Sequence, residues 1–141
     1  MNRSLLLSTA IIAIAFSAVT AFSQSPRSYY EKGKLTEISD LLSGDELEGC
    51  SAESKRVAGT VTAVRFAESR RIGDFTLRIS ARQTMKIEIS PSAYERMSKK
   101  DAAALSTLVA KARRITVDVH TCGTAKRALY IIAGIQTEIL G

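Results

Sequence analysis

The fold is decided by residues 75–89, FTLRISARQTMKIEI, in which apolar and polar residues alternate on both sides of a short break. The odd-numbered positions from Phe75 to Ala81 and from Met85 to Ile89 are apolar. This period of two is typical of half-buried β-strands. Because only residues 82–84 remain for the connection, we predict a tight antiparallel hairpin.

The segment before this hairpin alternates in the same way but changes parity once. Alternate positions from Val57 to Ala63 form one face, and then Val64 and Phe66 take the opposite parity. One extra residue in a strand produces such a change, so we predict a β-bulge or strong bend near Ala63. Residues 68–74, which include Gly73, are predicted to form a turn.

A helical region and two more strands follow the hairpin. Ser90-Pro91 is typical of a helix start, and Ser98 and Asp101 have the spacing of a capping box. The helix that starts at Ser98 has a predicted apolar face formed by Leu105, Leu108, Val109 and Ala112. Its last turn is predicted to hold Lys111, Arg113 and Arg114, because cations are stabilised by the negative end of the helix dipole. Strands are predicted at 115–119 and 129–135, on either side of a turn at Cys122-Gly123.

The order of elements is strand, strand, strand, helix, strand, strand. A five-stranded sheet with this order would leave exposed edges, and closure into a barrel removes them. We therefore predict a mainly β domain with some helix, built as a five-stranded OB-fold barrel over residues 55–141. Its one helix lies between the third and fourth strands and plugs one end of the barrel.

Residues 24–54 are predicted to be a leader that precedes this domain. Residues 24–30 are polar and contain Pro26, which predicts no structure of their own. Apolar residues then recur with helical spacing from Leu35 to Leu42, which predicts a short N-terminal helix that stops at Ser43-Gly44. An acidic loop with a cysteine follows at 45–54.

The first 23 residues have the pattern of a secretory signal peptide. A positive start with Arg3 precedes the weakly polar run 5–22, which ends in small residues before a predicted cut after Ser23. A retained membrane anchor is the alternative, but polar residues dilute the run and no basic cluster follows it. We predict a periplasmic or secreted protein with no membrane span after cleavage.

The chain has two cysteines, Cys50 and Cys122, and both lie in the exported part. An even count in an oxidising compartment favours a disulfide between them. Two separate buried thiols are the alternative.

Charge is distributed unevenly along the chain. Residues 31–53 hold seven acids and two lysines, a net charge of −5, whereas residues 54–141 hold sixteen Lys and Arg and seven acids, a net of +9. A cationic surface attracts anionic glycans and envelope components. Improved solubility alone is the alternative explanation.

In an OB-fold the first-to-second and fourth-to-fifth strand loops flank the usual ligand groove. Both predicted loops are basic, and further cations lie on the strands between them. The candidate ligand-binding residues are Arg70, Arg71, Arg78, Arg82, Lys86, Lys126 and Arg127. Guanidinium groups match carboxylate, sulfate and phosphate geometry, so these residues favour an anionic ligand.

Other kinds of site have weaker support in the sequence. The outward positions of the predicted hairpin carry no aromatic residue for stacking bases, which disfavours nucleic acid. His120 is the single histidine, and we interpret it with Asp118 as a surface pair. No serine lies in a nucleophile motif, and no glycine loop for phosphate is present. We therefore predict no metal site, no cofactor and no enzymatic activity.

Four segments of the second half carry a resemblance to a known group of proteins. They are AAALSTLVAKA at 102–112, ITV at 115–117, TCG at 121–123 and YII at 130–132. Together they resemble the C-terminal half of small exported bacterial OB-fold proteins, which are similar to the B subunits of pentameric toxins. The resemblance covers about a third of the chain.

This resemblance implies a non-enzymatic binding module for glycans or for another protein. It also implies a cysteine that bonds back to the region before or at the first strand. The group's carbohydrate-binding aromatic has no match in this chain, so no binding residue is transferred. Two functional classes stay open: a module for anionic glycan or envelope ligands, and a protein-interaction subunit. The second includes a toxin-like homo-oligomer and an inhibitor of a secreted enzyme.

Overall fold

The computed structural model describes residues 25–123 and 129–137. The predicted signal peptide at 1–23 lies outside the described residues. The strands are β1 (Arg27–Glu31), β2 (Lys34–Ser39), β3 (Lys55–Phe66), β4 (Ile72–Ser80), β5 (Gln83–Glu88), β6 (Arg114–Cys122) and β7 (Leu129–Thr137). The helices are α1 (Pro91–Arg96) and α2 (Lys99–Leu108), and short 3-10 turns occur at Gly44–Leu47 and Glu68–Arg70.

The protein is mainly β, as predicted, but its described residues form one sheet of seven strands where the prediction had five, in the order β1-β2-β7-β5-β4-β3-β6. β6 also pairs with β7, so β3, β4, β5, β7 and β6 form a cycle of pairings. All pairs are antiparallel except β5 with β7, which is parallel. β7 pairs with β6 along its length, with β5 at Tyr130 and Ile131, and with β2 at Ile135 and Gln136.

The predicted hairpin and bulge are both confirmed. β4 and β5 pair through a two-residue connection, Ala81-Arg82. The register of β3 against β4 shifts between Val61 and Ala63, so Thr62 is the extra residue. The predicted turn at 68–74 is shorter than expected, because β4 begins at Ile72.

The predictions for the N-terminal segment were wrong, since residues 27–39 form a β-hairpin in place of an unstructured leader and a helix. Tyr29 pairs with Glu37 and Tyr30 with Leu35, which leaves Thr36 as a bulge. The bulge turns Leu35 and Ile38 toward the same core although they are three residues apart. The β-bulge therefore gives these buried residues the same spacing that a helix would give.

Helix α2 begins as predicted and ends earlier than predicted. Ser98 caps it, and its hydroxyl accepts a hydrogen bond from the Asp101 N–H at 3.1 Å. The helix ends at Leu108 because the backbone that follows forms hydrogen bonds with β3. The Ala112 N–H donates to the Val61 carbonyl at 2.8 Å, and the Val61 N–H donates to the Arg113 carbonyl at 2.8 Å.

These bonds correct two details of the helix prediction. Ala112 is exposed with a φ of 72°, so it does not belong to the apolar helical face. Lys111, Arg113 and Arg114 lie beyond the last turn of the helix. Leu105, Leu108 and Val109 are buried as predicted.

One apolar core unites the N-terminal hairpin, the remaining sheet and the helices. Leu105 of α2 is fully buried in it, together with Ile38 of β2 and Leu77 of β4. Burying each such side chain contributes about 1.5–3 kcal/mol relative to leaving it exposed. The position of α2 against the sheet is therefore fixed by packing.

The disulfide Cys50–Cys122 is present and fastens the acidic loop to the end of β6. The Ser51 N–H donates to the Thr121 carbonyl at 2.8 Å beside it. His120 is 8% exposed, and its Nδ1 lies 2.8 Å from the Ser51 carbonyl oxygen. The prediction of a surface His–Asp pair was therefore wrong, because the Cys50 loop covers the imidazole.

A polar cluster joins the segment after β2 to α1. Glu46 Oε1 accepts hydrogen bonds from Ser43, at 3.1 Å, and from Ser92, and it lies 3.8 Å from Arg96 Nη2. Arg96 also donates to the Leu41 carbonyl at 2.7 Å. Burial raises the pKa of Glu46, but these partners outweigh it and hold the pKa below its ordinary value. The cluster keeps α1 in a fixed position under the β3–β4 loop.

Candidate functional site

The β3–β4 loop presents two arginines from a constrained backbone. The Ala67 N–H donates to the Arg71 carbonyl at 2.7 Å, which closes the loop. Within it, Ser69 and Arg70 have φ values of 60° and 59°, in the left-handed region that residues other than glycine seldom adopt. Such backbone costs about 1–3 kcal/mol per residue and clusters at functional sites.

Tyr94 of α1 supports this loop from below. The ring is 5% exposed, and its hydroxyl oxygen accepts a hydrogen bond from the Ile72 N–H at 2.8 Å. The Arg71 guanidinium carbon lies 5.5 Å from the ring centroid, within the range of a cation–π contact. Burial raises the pKa of the Tyr94 phenol, with the Ile72 bond and the Arg71 charge opposing it. Tyr94 therefore fixes both the start of β4 and the direction of Arg71.

A cavity of about 450 Å³ lies between this loop and α2. It is lined by Ser69, Arg70, Arg71, Tyr94, Lys99, Ala102, Ala103 and Ser106. A second cavity of about 560 Å³ adjoins it, since Phe66, Arg70 and Ser106 line that one. We call the two together the arginine cleft. Three cations and no carboxylate are among its described lining residues.

An exposed aromatic ring completes the arginine cleft. Phe66 is the last residue of β3, and 54% of its surface is exposed. The side chains of two cations of the cleft, Arg70 and Lys99, form no hydrogen bond or ion pair with other described residues. An anionic group in the cleft would meet guanidinium and ammonium donors, serine hydroxyls and an apolar ring.

The structure brings together only some of the predicted ligand-binding residues. Arg70 and Arg71 share the cleft, whereas Arg82 follows the far end of β4. β4 has nine residues, and the eight steps between its ends, at about 3.4 Å each, separate them by about 27 Å. Lys126 and Arg127 lie outside the described residues.

The two remaining candidates lie on β4 and β5, away from the cleft lining. Lys86 is 4.0 Å from Asp74, and Asp74 also accepts from Arg65 Nε at 2.6 Å. Lys86 is therefore partly neutralised. Arg78 is exposed on β4 and lines none of the cavities described above.

Sequence reasoning missed five aromatic or polar residues of the cleft: Phe66, Ser69, Tyr94, Lys99 and Ser106. Lys99 and Ser106 reach the site only because core packing places α2 beside the β3–β4 loop. No pattern within either segment carries that information. Phe66 had one local signal, since it follows the parity change at Ala63 and ends an otherwise alternating strand.

No group of three or more His, Cys, Asp or Glu side chains in residues 25–123 and 129–137 is arranged to hold a metal ion. No helix within those ranges is both long and apolar enough to cross a membrane. His120 and Asp118 have separate partners, Ser51 and Arg56 respectively.

Comparisons of the chain with protein-family models, with curated proteins and with solved structures find no match. The described lining of the cleft combines three cations, two serine hydroxyls and an exposed aromatic ring.

Proposed function

We propose that this protein is an exported, non-enzymatic binding module whose arginine cleft holds the anionic groups of a glycan. The observation that carries the proposal is a cleft lined by Arg70, Arg71 and Lys99 with no carboxylate among its described lining residues. Its two cavities, of about 450 and about 560 Å³, both fall within the range of about 300–1,000 Å³ typical of small-ligand sites.

The chemistry of the cleft favours a sulfated or carboxylated sugar. A guanidinium fork can hold a sulfate or carboxylate through two parallel hydrogen bonds, each stronger than one between neutral groups. Lys99 adds a point charge, and the Ser69 and Ser106 hydroxyls can donate to or accept from sugar hydroxyls. Phe66 offers an exposed ring to the apolar face of a sugar.

We further propose that the scaffold is an OB-fold barrel. The cycle of pairings β3-β4-β5-β7-β6, with α2 between β5 and β6, supports this because an OB-fold has that order of elements. In that arrangement the β3–β4 loop is the first-to-second strand loop, which borders the usual ligand site. Export is supported by the Cys50–Cys122 disulfide, which is typical of oxidising compartments.

The test is a charge reversal with a matched control. Arg70→Glu/Arg71→Glu places two acids in the cleft, whereas Arg78→Glu/Arg82→Glu makes the same change in charge away from it. The probe is a heparin-derived hexasaccharide, with neutral dextran as the uncharged comparison, measured by calorimetry at low and physiological salt.

The cleft variant is expected to bind the hexasaccharide at least about tenfold more weakly, which is the loss of about 1.4 kcal/mol. Its remaining affinity should depend less on salt, because two charge contacts are gone. The control variant should stay within about threefold of the unaltered protein. Equal weakening in both variants, or no weakening in the cleft variant, would refute the proposal.

A protein-interaction subunit is the second candidate, and the free edge of β1 favours it. Among the described strands β1 pairs only with β2, and Tyr29 on it is 50% exposed. A strand edge can pair with another chain through backbone hydrogen bonds. Light scattering tests the oligomeric form: the mass of a five-membered ring would support a toxin-like subunit, and a monomer at all concentrations would contradict it.

A further inference from the structure

A second cationic cavity lies on the other side of α2 from the arginine cleft. Its volume is about 460 Å³, and the β1–β2 turn and the segment after α2 contribute its cations, Lys32, Lys34 and Arg113. Thr36, Thr107 and Thr137 add hydroxyl groups to its lining. Glu31 is the single carboxylate among its described lining residues. We call this the turn cavity.

The cations of the turn cavity are held in place and available. The Arg113 Nη1 donates to the Thr107 carbonyl at 3.0 Å, which leaves the other guanidinium donors for a ligand. Lys32 and Lys34 form no ion pair with other described residues and flank Gly33 in a tight turn. Lys100 Nζ, by contrast, lies 4.3 Å from the Tyr30 ring centroid, and Lys100 does not line the turn cavity.

Helix α2 is the wall that separates the two sites. Lys99 and Ala103 face the arginine cleft, and Ala104 and Thr107 face the turn cavity. A helical rotation of about 100° per residue places these pairs on neighbouring faces, while the buried Leu105 lies on a third. Ala103 and Thr107 are the exposed residues of α2 where these two faces meet, and both side chains are small, so an extended chain can cross the helix closely there.

We propose that the arginine cleft and the turn cavity are two subsites for one linear polyanionic glycan that crosses α2 at Ala103. This inference rests on the proposed function and specifies its ligand as a chain with several anionic groups. Such a chain must be longer than the width of the helix, about 10–12 Å. A short fragment can occupy only one subsite at a time.

Joining the two subsites through one ligand raises affinity without any new kind of contact. Once one anionic group is bound, the next binds from an effective concentration set by the chain, and gains of about 10²–10⁴ are typical when the geometry allows both. A long chain should therefore bind much more tightly than a short one of the same composition.

The test compares chain lengths in the full protein and in variants of the turn cavity. Calorimetry measures a heparin-derived disaccharide and a decasaccharide with the unaltered protein, Lys34→Glu, Lys32→Glu/Lys34→Glu, the cleft variant Arg70→Glu/Arg71→Glu and the control Arg78→Glu/Arg82→Glu. The single variant Lys34→Glu keeps the turn residue Lys32 and replaces the double variant in this test if the double variant folds poorly. Circular dichroism checks the fold of each variant.

The unaltered protein and the control should bind the decasaccharide at least tenfold more tightly than the disaccharide. Both turn-cavity variants should keep most disaccharide affinity and lose most of that length advantage. If the disaccharide binds through Arg70 and Arg71 but length brings no gain, this inference fails and the proposed function stands. If neither chain binds, the proposed function fails. If Lys34→Glu weakens both lengths equally, a general cationic field explains binding and the two-subsite account is refuted.

Discussion

Replacing Tyr94 with phenylalanine isolates the hydrogen bond that fixes the start of β4 beneath the arginine cleft. The ring and its contact with Arg71 remain, but the acceptor for the Ile72 N–H, 2.8 Å away, is lost. Ile72 is 1% exposed, so water cannot replace the missing acceptor without a local opening. A buried donor left unpaired costs about 1–3 kcal/mol.

We therefore expect Tyr94→Phe to lower the free energy of unfolding by about 1–3 kcal/mol, measured by urea denaturation at neutral pH. At about 4 °C per kcal/mol for a domain of this size, the Tm falls by about 4–12 °C. Loosening of the loop should also weaken binding of the heparin-derived hexasaccharide severalfold, because Arg71 is then less firmly positioned.

Tyr29→Phe is the matched control, since it removes the same atom from a residue that is 50% exposed. Its hydroxyl has no hydrogen-bond partner among the described residues, and surface changes of this kind usually stay within about 0.5 kcal/mol. If Tyr94→Phe changed stability as little as this control, the buried bond to Ile72 would contribute nothing and our account of how the loop is supported would be wrong.

Three further predictions concern the rest of the framework. Cys50→Ala/Cys122→Ala opens a loop of 72 residues and should lower the free energy of unfolding by about 4 kcal/mol in denaturant titrations; a loss below about 1 kcal/mol would contradict it. Burial and the Asp101 hydrogen bond raise the pKa of Tyr30 to about 12, so its contribution to stability is complete below its ordinary pKa of 10.0 and is lost as pH rises toward 12. Tyr94 also titrates late because burial raises its pKa, so tyrosinate absorbance should show one fewer late-titrating phenol in Tyr30→Phe than in the unaltered protein. An unchanged number of late-titrating phenols in that variant would refute the assignment. The pKa of Glu46 is lowered from 4.5, so its partners stabilise the fold above that pH and the contribution is lost as pH falls through the lower folded value. Glu46→Gln should flatten the acid limb of stability against pH, and an unchanged limb would show that other carboxylates control it.

Local patterns in the sequence were sufficient for much of the sheet. The hairpin at 75–89, the bulge near Ala63 and the cap at Ser98 each depend on residues close together in the chain, and all three are confirmed. The Cys50–Cys122 pairing was predictable for a different reason, since the predicted signal peptide and the presence of two cysteines leave one possible bridge.

The features that sequence reasoning missed are controlled by distant partners. The end of α2 is set by hydrogen bonds between Val61 and the segment after the helix, which helical periodicity does not report. The bulge at Thr36 gave Leu35 and Ile38 a spacing that both a helix and an irregular strand can produce. The turn of this hairpin, Lys32-Gly33, has φ values of 49° and 77°, and positive φ at both residues is typical of a two-residue β-hairpin turn.

The candidate site was predictable only in part for the same reason. Arg70 and Arg71 stood out because a basic loop between two strands is visible in the chain. Lys99 lies in the same cleft because α2 packs beside the β3–β4 loop. Arg82 lies far from the cleft because the nine residues of β4 separate it from that loop. Charge composition therefore suggested the anionic ligand that we propose, whereas tertiary structure determines which cations share one cleft.

The most direct measurement of the central claim is a titration of the isotope-labelled protein with the heparin-derived hexasaccharide, followed by backbone amide NMR shifts. The account predicts that the largest shifts lie in the β3–β4 loop around Arg70 and in α2 from Lys99 to Ser106, with little change at the β4–β5 turn around Arg82. Largest shifts at that turn, or shifts spread evenly over all exposed lysines and arginines, would contradict it.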